Sequence, residues 1–151
     1  FDKTEPWNPA KIGKQSSSSA HKWLTFHTFR SIHECLNDLK GQGYVIVATA
    51  LKNEAISLLD YSFGKQKIAL MIGNEHRGLS DAALACADVV LKIPLRGMVE
   101  SLNVSVASAV FLAELTRQRV SSGKSFVLTK DEQQALEEQL MLQSRKHKEN
   151  R

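Results

Sequence analysis

The sequence has few cysteines and prolines and no long apolar run, and these absences exclude several classes of protein. It contains two cysteines and three prolines among 151 residues. A transmembrane helix needs about 18 or more consecutive apolar residues, and no such run occurs. No basic-apolar-small signal peptide is recognisable either. We therefore expect a cytoplasmic protein without a membrane segment.

The two cysteines point to neither a disulfide framework nor a metal centre. Cys35 and Cys86 form no CxxC pair and no cluster with histidine at metal-ligand spacing. Such patterns are what zinc sites and disulfide-rich domains require, so we expect reduced thiols and no bound metal. Phosphate-binding loops of the types GxGxxG and GxxxxGK(S/T) are also missing, which argues against a generic nucleotide-binding α/β domain.

Positive charge is concentrated at the amino-terminal end. The net charge is +4, and residues 1–30 carry five Lys and Arg against two acidic residues, whereas residues 31–120 carry nine of each. Basic residues near Trp7 and Trp23 suit phosphate contact and base stacking. The alternative is a solvated surface loop, which charge alone favours. Residues 1–22 are accordingly predicted to be a basic, polar loop segment.

Strands and helices alternate through the middle of the chain. Ser31 and Glu34 form a capping box that opens a helix, which Gly41 and Gly43 end. Continuous apolar runs typical of strands covered on both faces follow at 44–50, 68–72 and 89–93. Further predicted elements are a short strand at 23–26, a helix capped by Ser80 through Ala87, a buried helix capped by Ser101 from Leu102 to about Val120, and a helix opened by Thr129 and Glu132 that ends near His147.

This alternation predicts an α/β fold whose mainly parallel sheet is covered by helices on both faces. Ligands of such sheets bind outside the carboxyl ends of the strands. Those ends are Thr49 with Ala50, residues 73–75 and residues 93–101. We expect them to converge on one crevice for a small molecule.

The loops after the second and third apolar runs carry polar groups. Gly73 allows close approach of backbone to a ligand, although an ordinary strand-to-helix turn also accounts for the residues that follow it. In the second loop, Ser101 is explained by the helix cap. Asn103 lies in an otherwise apolar turn, where an unsatisfied amide costs on the order of 1–3 kcal/mol. We therefore expect Asn103 to have a role other than structure.

Two segments resemble the second and third motifs of one enzyme family. They are IGNEHRGLS at residues 72–80 and IPLRGMVESLNVSVASAVFLAEL at residues 93–115. They are similar to the motifs of the SpoU branch of the SPOUT RNA methyltransferases, with Leu95 where Met is common. The run after Met98 looks most like the tRNA guanosine ribose methyltransferases of the TrmH type.

The resemblance implies a deep trefoil knot near the carboxyl end of the sheet, a homodimer, and S-adenosylmethionine as methyl donor, with S-adenosylhomocysteine as product. The reaction would be methyl transfer to a ribose 2′-hydroxyl of RNA, preferably tRNA, with rRNA as the alternative. The methyltransferase core would span residues 23–120, followed by a helical extension at 121–151. The residues implied are Glu75, Ser101 and Asn103 for catalysis; Thr49, Ala50, Gly73, Asn74, Glu75, Ile93, Leu95, Met98, Ser101, Leu102 and Asn103 for the donor; and Lys11, Lys14, Lys22 and Arg77 for RNA.

The family's first motif, an Asn followed by an Arg associated with activating the hydroxyl, is not found. Asn8 precedes Lys11 and Lys14 in a loop rich in proline and serine, which is a different context. The resemblance leads us to expect this motif upstream of Phe1. A second hypothesis is that these residues form a donor-binding, dimerising module without catalytic activity of its own.

Overall fold

The computed structural model describes residues 24–73, 77–96, 101–123 and 127–149. The predicted loop at 1–22 and the candidate residues Asn74, Glu75 and Met98 lie outside these ranges. The chain divides into one unit of residues 29–126 and a second formed by residues 1–28 with 127–151. Among the described helices, none is long and apolar enough to span a membrane.

Four strands and four helices form the described structure, and most lie within a residue or two of their predicted positions. The strand predicted at 23–26 is absent from its described part: residues 25 and 26 form no regular structure, and Leu24 is 59% exposed. The elements are α1 (Ile32–Gly41), β1 (Tyr44–Thr49), β2 (Ile56–Ser57), β3 (Lys67–Met71), α2 (Asp81–Ala85), β4 (Val89–Lys92), α3 (Val104–Ser121) and α4 (Lys130–Glu149).

The sheet is parallel, as predicted, with the strand order β2-β4-β1-β3. β1 is central: Val47 pairs with Leu70 of β3 and with Val89 of β4. β2 pairs with β4 and was not predicted, because two residues are too few to show a pattern. All the carboxyl ends of these strands therefore meet at one edge of the sheet.

Side chains from both faces of β1 are buried. Ile46, Val47 and Ala48 are all 0% exposed, although successive residues of a strand point to opposite faces. Val47 packs with Leu91 and with Phe111 of α3 in the main apolar cluster. α1 contacts β1 and contributes the buried Leu36. The continuous apolar run therefore did predict a strand covered on both faces.

Asp88 fixes the start of β4 against β1. Its backbone N–H donates to the carbonyl of Ile46 at 2.9 Å, and its Oδ2 accepts from the Ile46 N–H at 2.8 Å. Its Oδ1 accepts from Lys40 Nζ of α1 at 2.9 Å. The hydrogen bond from Ile46, followed by that from Lys40, holds the pKa of Asp88 below its ordinary value. A single carboxylate thus joins α1, β1 and β4.

Hydrogen bonds join the last turn of α3 to the β2–β3 loop. Gln118 accepts from the Phe63 N–H at 3.0 Å and donates to the Tyr61 carbonyl at 2.8 Å, so that its amide replaces a backbone partner for this loop. Glu114 accepts from Gln118 at 2.8 Å and from Nε and Nη2 of Arg117, at 2.8 and 2.7 Å. These contacts keep Phe63, 2% exposed, in the core.

Both predicted capping pairs cap their helices, but only the pair at α4 is a reciprocal box, because the Glu34 carboxylate accepts from the Arg30 N–H at 3.0 Å. Ser31 Oγ accepts from the Glu34 N–H at 3.2 Å at the start of α1. At the start of α4, Thr129 Oγ1 accepts from the Glu132 N–H at 3.3 Å, and the Glu132 carboxylate accepts from the Thr129 N–H at 2.7 Å. α1 also ends as predicted, with Gly43 at φ 80°. Local capping signals therefore located both helix starts correctly.

Candidate functional site

The loops that leave β1, β3 and β4 enclose a pocket of about 470 Å³ at the carboxyl edge of the sheet. The start of α3 closes one side of it. Most of the lining is apolar. The lining residues are Thr49, Ala50, Leu51, Lys52, Ile72, Gly73, Arg77, Gly78, Leu79, Leu84, Leu91, Lys92, Ile93, Leu95, Ser101, Leu102, Val104, Ala107 and Phe111.

Gly73 lies where two stretches of backbone come together. A Cβ on this residue would lie 2.6 Å from Cα of Gly78, and closer still to the Gly78 carbonyl carbon and the Leu79 amide nitrogen. Gly78 itself has φ 63°, a left-handed conformation that favours glycine. No larger residue fits at Gly73 without moving the backbone of the same loop.

Asn103, rather than Ser101, caps α3. Its Oδ1 accepts from the Ser105 N–H at 2.8 Å, and the helix begins at Val104. Asn103 has φ −52° and ψ 140°, outside the helical region, as a cap residue must. The predicted cap at Ser101 and the predicted start at Leu102 are therefore wrong, and Asn103 has a structural role that its position in an apolar sequence concealed. Ser101 is exposed and lines the pocket.

One side of α3 forms a wall of the pocket through Val104, Ala107 and Phe111, which recur at helical spacing. The apolar character of the first turns had predicted a buried helix. In the single chain, however, Phe111 is the only buried residue of α3, whereas Val106 is 49% and Leu112 55% exposed. The burial prediction is therefore wrong for one copy of the chain, in which Val106 and Leu112 stay exposed.

Three cationic side chains line the pocket, and their interactions differ. Lys92 Nζ donates to the Asn53 carbonyl at 3.1 Å. Lys52 Nζ lies 3.2 Å from Asp81 Oδ1, with 50% of the lysine side chain and 96% of the aspartate side chain exposed. Arg77 is exposed. Three positively charged side chains therefore contribute to a lining that is mostly apolar.

The structure brings together most of the predicted site residues that it describes. Thr49, Ala50, Gly73, Arg77, Ile93, Leu95, Ser101 and Leu102 all line the pocket, and Asn103 adjoins it in the chain. The predicted Asn74, Glu75, Met98, Lys11, Lys14 and Lys22 lie outside the described residues. The sequence did not single out Lys52, Leu84 or Phe111, since an isolated loop lysine or an apolar helix residue carries no local signal of a site. Within the described ranges, no group of three or more His, Cys, Asp or Glu could hold a metal ion.

Comparison with known proteins identifies the family. A family profile described as the SpoU rRNA Methylase family matches residues 2–113. The chain is 42% identical over 109 residues to the tRNA (guanosine(18)-2'-O)-methyltransferase of Thermus thermophilus, covering 72% of this chain and 56% of that protein. It is 38% identical over 136 residues to the Escherichia coli protein of the same name, covering 86% and 59%.

Similarity to solved structures supports the same family. The crystal structure of the TrmH/SpoU tRNA modifying enzyme of Aquifex aeolicus superposes with a TM-score of 0.73 at 29% identity, covering 96% of this chain and 70% of that one. The SpoU methyltransferase AviRb of Streptomyces viridochromogenes, in complex with the cofactor AdoMet, gives 0.54 at 32% identity, covering 60% and 37%. The chain spans a little over half the length of the two curated relatives described above. It belongs to the SpoU rRNA methylase family.

Proposed function

We propose that this chain forms the donor-binding core of an S-adenosylmethionine-dependent RNA 2′-O-ribose methyltransferase that acts on guanosine in tRNA. The observation that carries the proposal is that residues of both motif segments line one pocket: Gly73 from the first, and Ile93, Leu95, Ser101 and Leu102 from the second. The Thermus and E. coli relatives bear the name of a tRNA guanosine 2′-O-methyltransferase, which supports tRNA over rRNA.

The pocket suits the donor. Its volume of about 470 Å³ lies within the range of roughly 300–1,000 Å³ for small-molecule sites, and its apolar lining with a few polar groups is typical of them. Gly73 lines the pocket, and its missing side chain makes room for the Gly78–Leu79 backbone that shapes this part of the wall. The residues that would hold the donor are Thr49, Ala50, Gly73, Ile93, Leu95 and Leu102.

The chain's polar residues have distinct parts in the proposed reaction. When bound, S-adenosylmethionine supplies a methyl group on its sulfonium, which the ribose 2′ oxygen takes while S-adenosylhomocysteine is released. The hydroxyl proton must pass to a base or a phosphate. Ser101, exposed at the pocket, can donate to and accept from that hydroxyl. Asn103 uses its carbonyl oxygen for the helix cap, which leaves its NH₂ group for the ligand. Glu75 is proposed as the catalytic carboxylate by its motif position.

The active form is proposed to be a homodimer. Val106, Leu112 and Val120 leave 49%, 55% and 62% of their surface exposed along α3, and an apolar helix surface of this kind is stabilised when a second copy covers it. A two-fold interface would place the same surface of both copies together. Sedimentation velocity at tens of micromolar should show a dimer; a monomer at that concentration contradicts this part of the proposal. A cytoplasmic location and the trefoil knot likewise remain predictions.

Calorimetry with S-adenosylhomocysteine tests donor binding directly. We expect binding by the chain, and loss of binding in Ala107→Phe, because Ala107 lines the pocket and is half-buried. Ala82→Phe is the matched control, since Ala82 is exposed on α2 and does not line the pocket. Absence of heat and of a thermal shift at millimolar ligand, or equal binding by Ala107→Phe and the wild type, refutes the proposed site.

A radiolabelled-methyl assay on bulk tRNA and rRNA, followed by nucleoside analysis, tests the reaction. Label on a tRNA guanosine ribose is expected. Label on rRNA ribose favours the alternative substrate, and label on a base contradicts ribose methylation. Donor binding without any label on either RNA favours the non-catalytic, donor-binding module.

A further inference from the structure

We propose that Lys52 binds a phosphate of the RNA substrate beside the pocket, and that Asp81 holds the Lys52 ammonium in place until the RNA arrives. This inference rests on the proposed function, since it names a contact of the RNA whose ribose is methylated. It goes further in assigning a substrate-binding role to a residue outside both motif segments and to a carboxylate that competes with the substrate.

Lys52 is well placed for this contact. It lies three residues beyond Thr49, the last residue of β1, and lines the pocket. Its ammonium lies 3.2 Å from the carboxylate of Asp81, the first residue of α2, and half of its side chain is exposed. Because the aspartate is 96% exposed, the point where the two meet is open to solvent. The ammonium is therefore accessible from solvent, where an RNA backbone can reach it.

The present partner of Lys52 is easily replaced. Ion pairs between exposed side chains contribute about 0–1 kcal/mol, so separating Lys52 from Asp81 costs little. Asp81 does not depend on Lys52, because it is solvated and lies in the first turn of a helix, where negative charge is favoured. A phosphate brings a full negative charge, and its neutralisation releases condensed counterions from the RNA. Exchange of Asp81 for phosphate is therefore favourable.

The neighbouring cation Lys92 is less available. Its ammonium donates to the Asn53 carbonyl at 3.1 Å and so supports the loop that follows β1. For Lys52, the only partner of the ammonium within the described ranges is the exposed carboxylate of Asp81. Of these two pocket lysines, Lys52 is therefore the one that can change partner without disturbing the fold.

The test measures binding of a fluorescent tRNA transcript at several salt concentrations, with S-adenosylhomocysteine affinity measured in parallel by calorimetry. Lys52→Ala should weaken tRNA binding by about five- to tenfold at 0.1 M salt and reduce the slope of log K against log salt by about 0.7–0.9, as expected for one lost phosphate contact. Its affinity for S-adenosylhomocysteine should fall far less than its affinity for tRNA. Lys65→Ala is the matched control, because Lys65 is exposed and does not line the pocket.

Asp81→Asn gives a second, opposite signal. It removes the competing carboxylate, so tRNA binding should become tighter, and by more than in Glu54→Gln, which neutralises an exposed carboxylate of the Lys52 loop. Equal effects of Lys52→Ala and Lys65→Ala overturn the inference, as does weaker tRNA binding by Asp81→Asn. Loss of S-adenosylhomocysteine affinity in Lys52→Ala with an unchanged salt slope assigns the lysine to the donor carboxylate and also overturns it.

The outcomes separate this inference from the proposed function. If the wild-type chain binds S-adenosylhomocysteine but Lys52→Ala binds tRNA as tightly as the wild type, only this inference is overturned. A wild-type chain that does not bind S-adenosylhomocysteine overturns the proposed function itself.

Discussion

Asn103 combines a helix cap with a proposed role in the site, and substitutions can separate the two. Asn103→Ala removes the acceptor of the 2.8 Å hydrogen bond from the Ser105 N–H. Loss of an N-cap costs about 1 kcal/mol, which for a chain of this size lowers the melting temperature by roughly 2–4 °C. Asn103→Asp keeps the acceptor and places a negative charge at the start of α3, which contributes about 0.3–1 kcal/mol. This variant should melt at the wild-type temperature or above it.

The same two variants should behave alike in ligand binding. Both lose the NH₂ group of Asn103, and within the described residues that group has no hydrogen-bond partner. If it contacts the donor or the reacting ribose, Asn103→Asp will be as stable as the wild type but will bind S-adenosylhomocysteine more weakly or transfer methyl more slowly, by about tenfold or more. Thermal unfolding by circular dichroism, calorimetry and the methyl-transfer assay give the three readouts.

Two other substitutions serve as controls for this experiment. Ser31→Ala removes the N-cap of α1, which does not line the pocket, so it should lower the melting temperature without changing ligand affinity. Ser101→Ala should leave the melting temperature unchanged, because Ser101 is exposed and does not cap α3. Wild-type melting of Asn103→Ala refutes the capping argument. Wild-type ligand binding and turnover by Asn103→Asp refute the role in the site and leave Asn103 as a cap alone.

Three further predictions concern packing and charge. Gly73→Ala should destabilise the fold by on the order of 1–3 kcal/mol and weaken S-adenosylhomocysteine binding, because its Cβ has no space. In thermal melts the control is Gly41→Ala, where a Cβ meets nothing within 4 Å. Equal melting temperatures of the two variants would contradict the clash. Gln118→Ala should leave backbone groups of the β2–β3 loop unsatisfied and destabilise by about 1–3 kcal/mol in urea titrations; an unchanged midpoint would show that water replaces the amide. Hydrogen bonds from Arg117 and then from Gln118 lower the pKa of Glu114 from 4.5 to about 2. The stabilisation by ionised Glu114 is therefore complete above pH 4.5 and is lost as the pH falls through 2. Glu114→Gln should lose less stability than the wild type over that acid range, and an acid profile equal to that of the wild type would contradict the assignment.

The sequence by itself determined the elements whose signals are local. The capping box of Ser31 and Glu34 located α1, and the run from Tyr44 to Thr49 identified β1, because both faces of a central parallel strand must be apolar. The alternation of strands and helices was sufficient to place the strand ends at one edge. The two motif segments then indicated the family, since their residues follow one another along the chain.

Only the tertiary structure decided the features that depend on where distant segments meet. Ser101 and Asn103 are both good cap residues, and the choice of Asn103 was made by the backbone, which becomes helical only at Val104. The clash that a side chain at Gly73 would cause depends on the path of the backbone at Gly78. Similarly, Lys52 became a candidate because the start of α2 lies next to the loop that leaves β1. Capping, close approach and charge pairing depend on distances of a few ångströms between segments. The order of residues along the chain does not specify those distances.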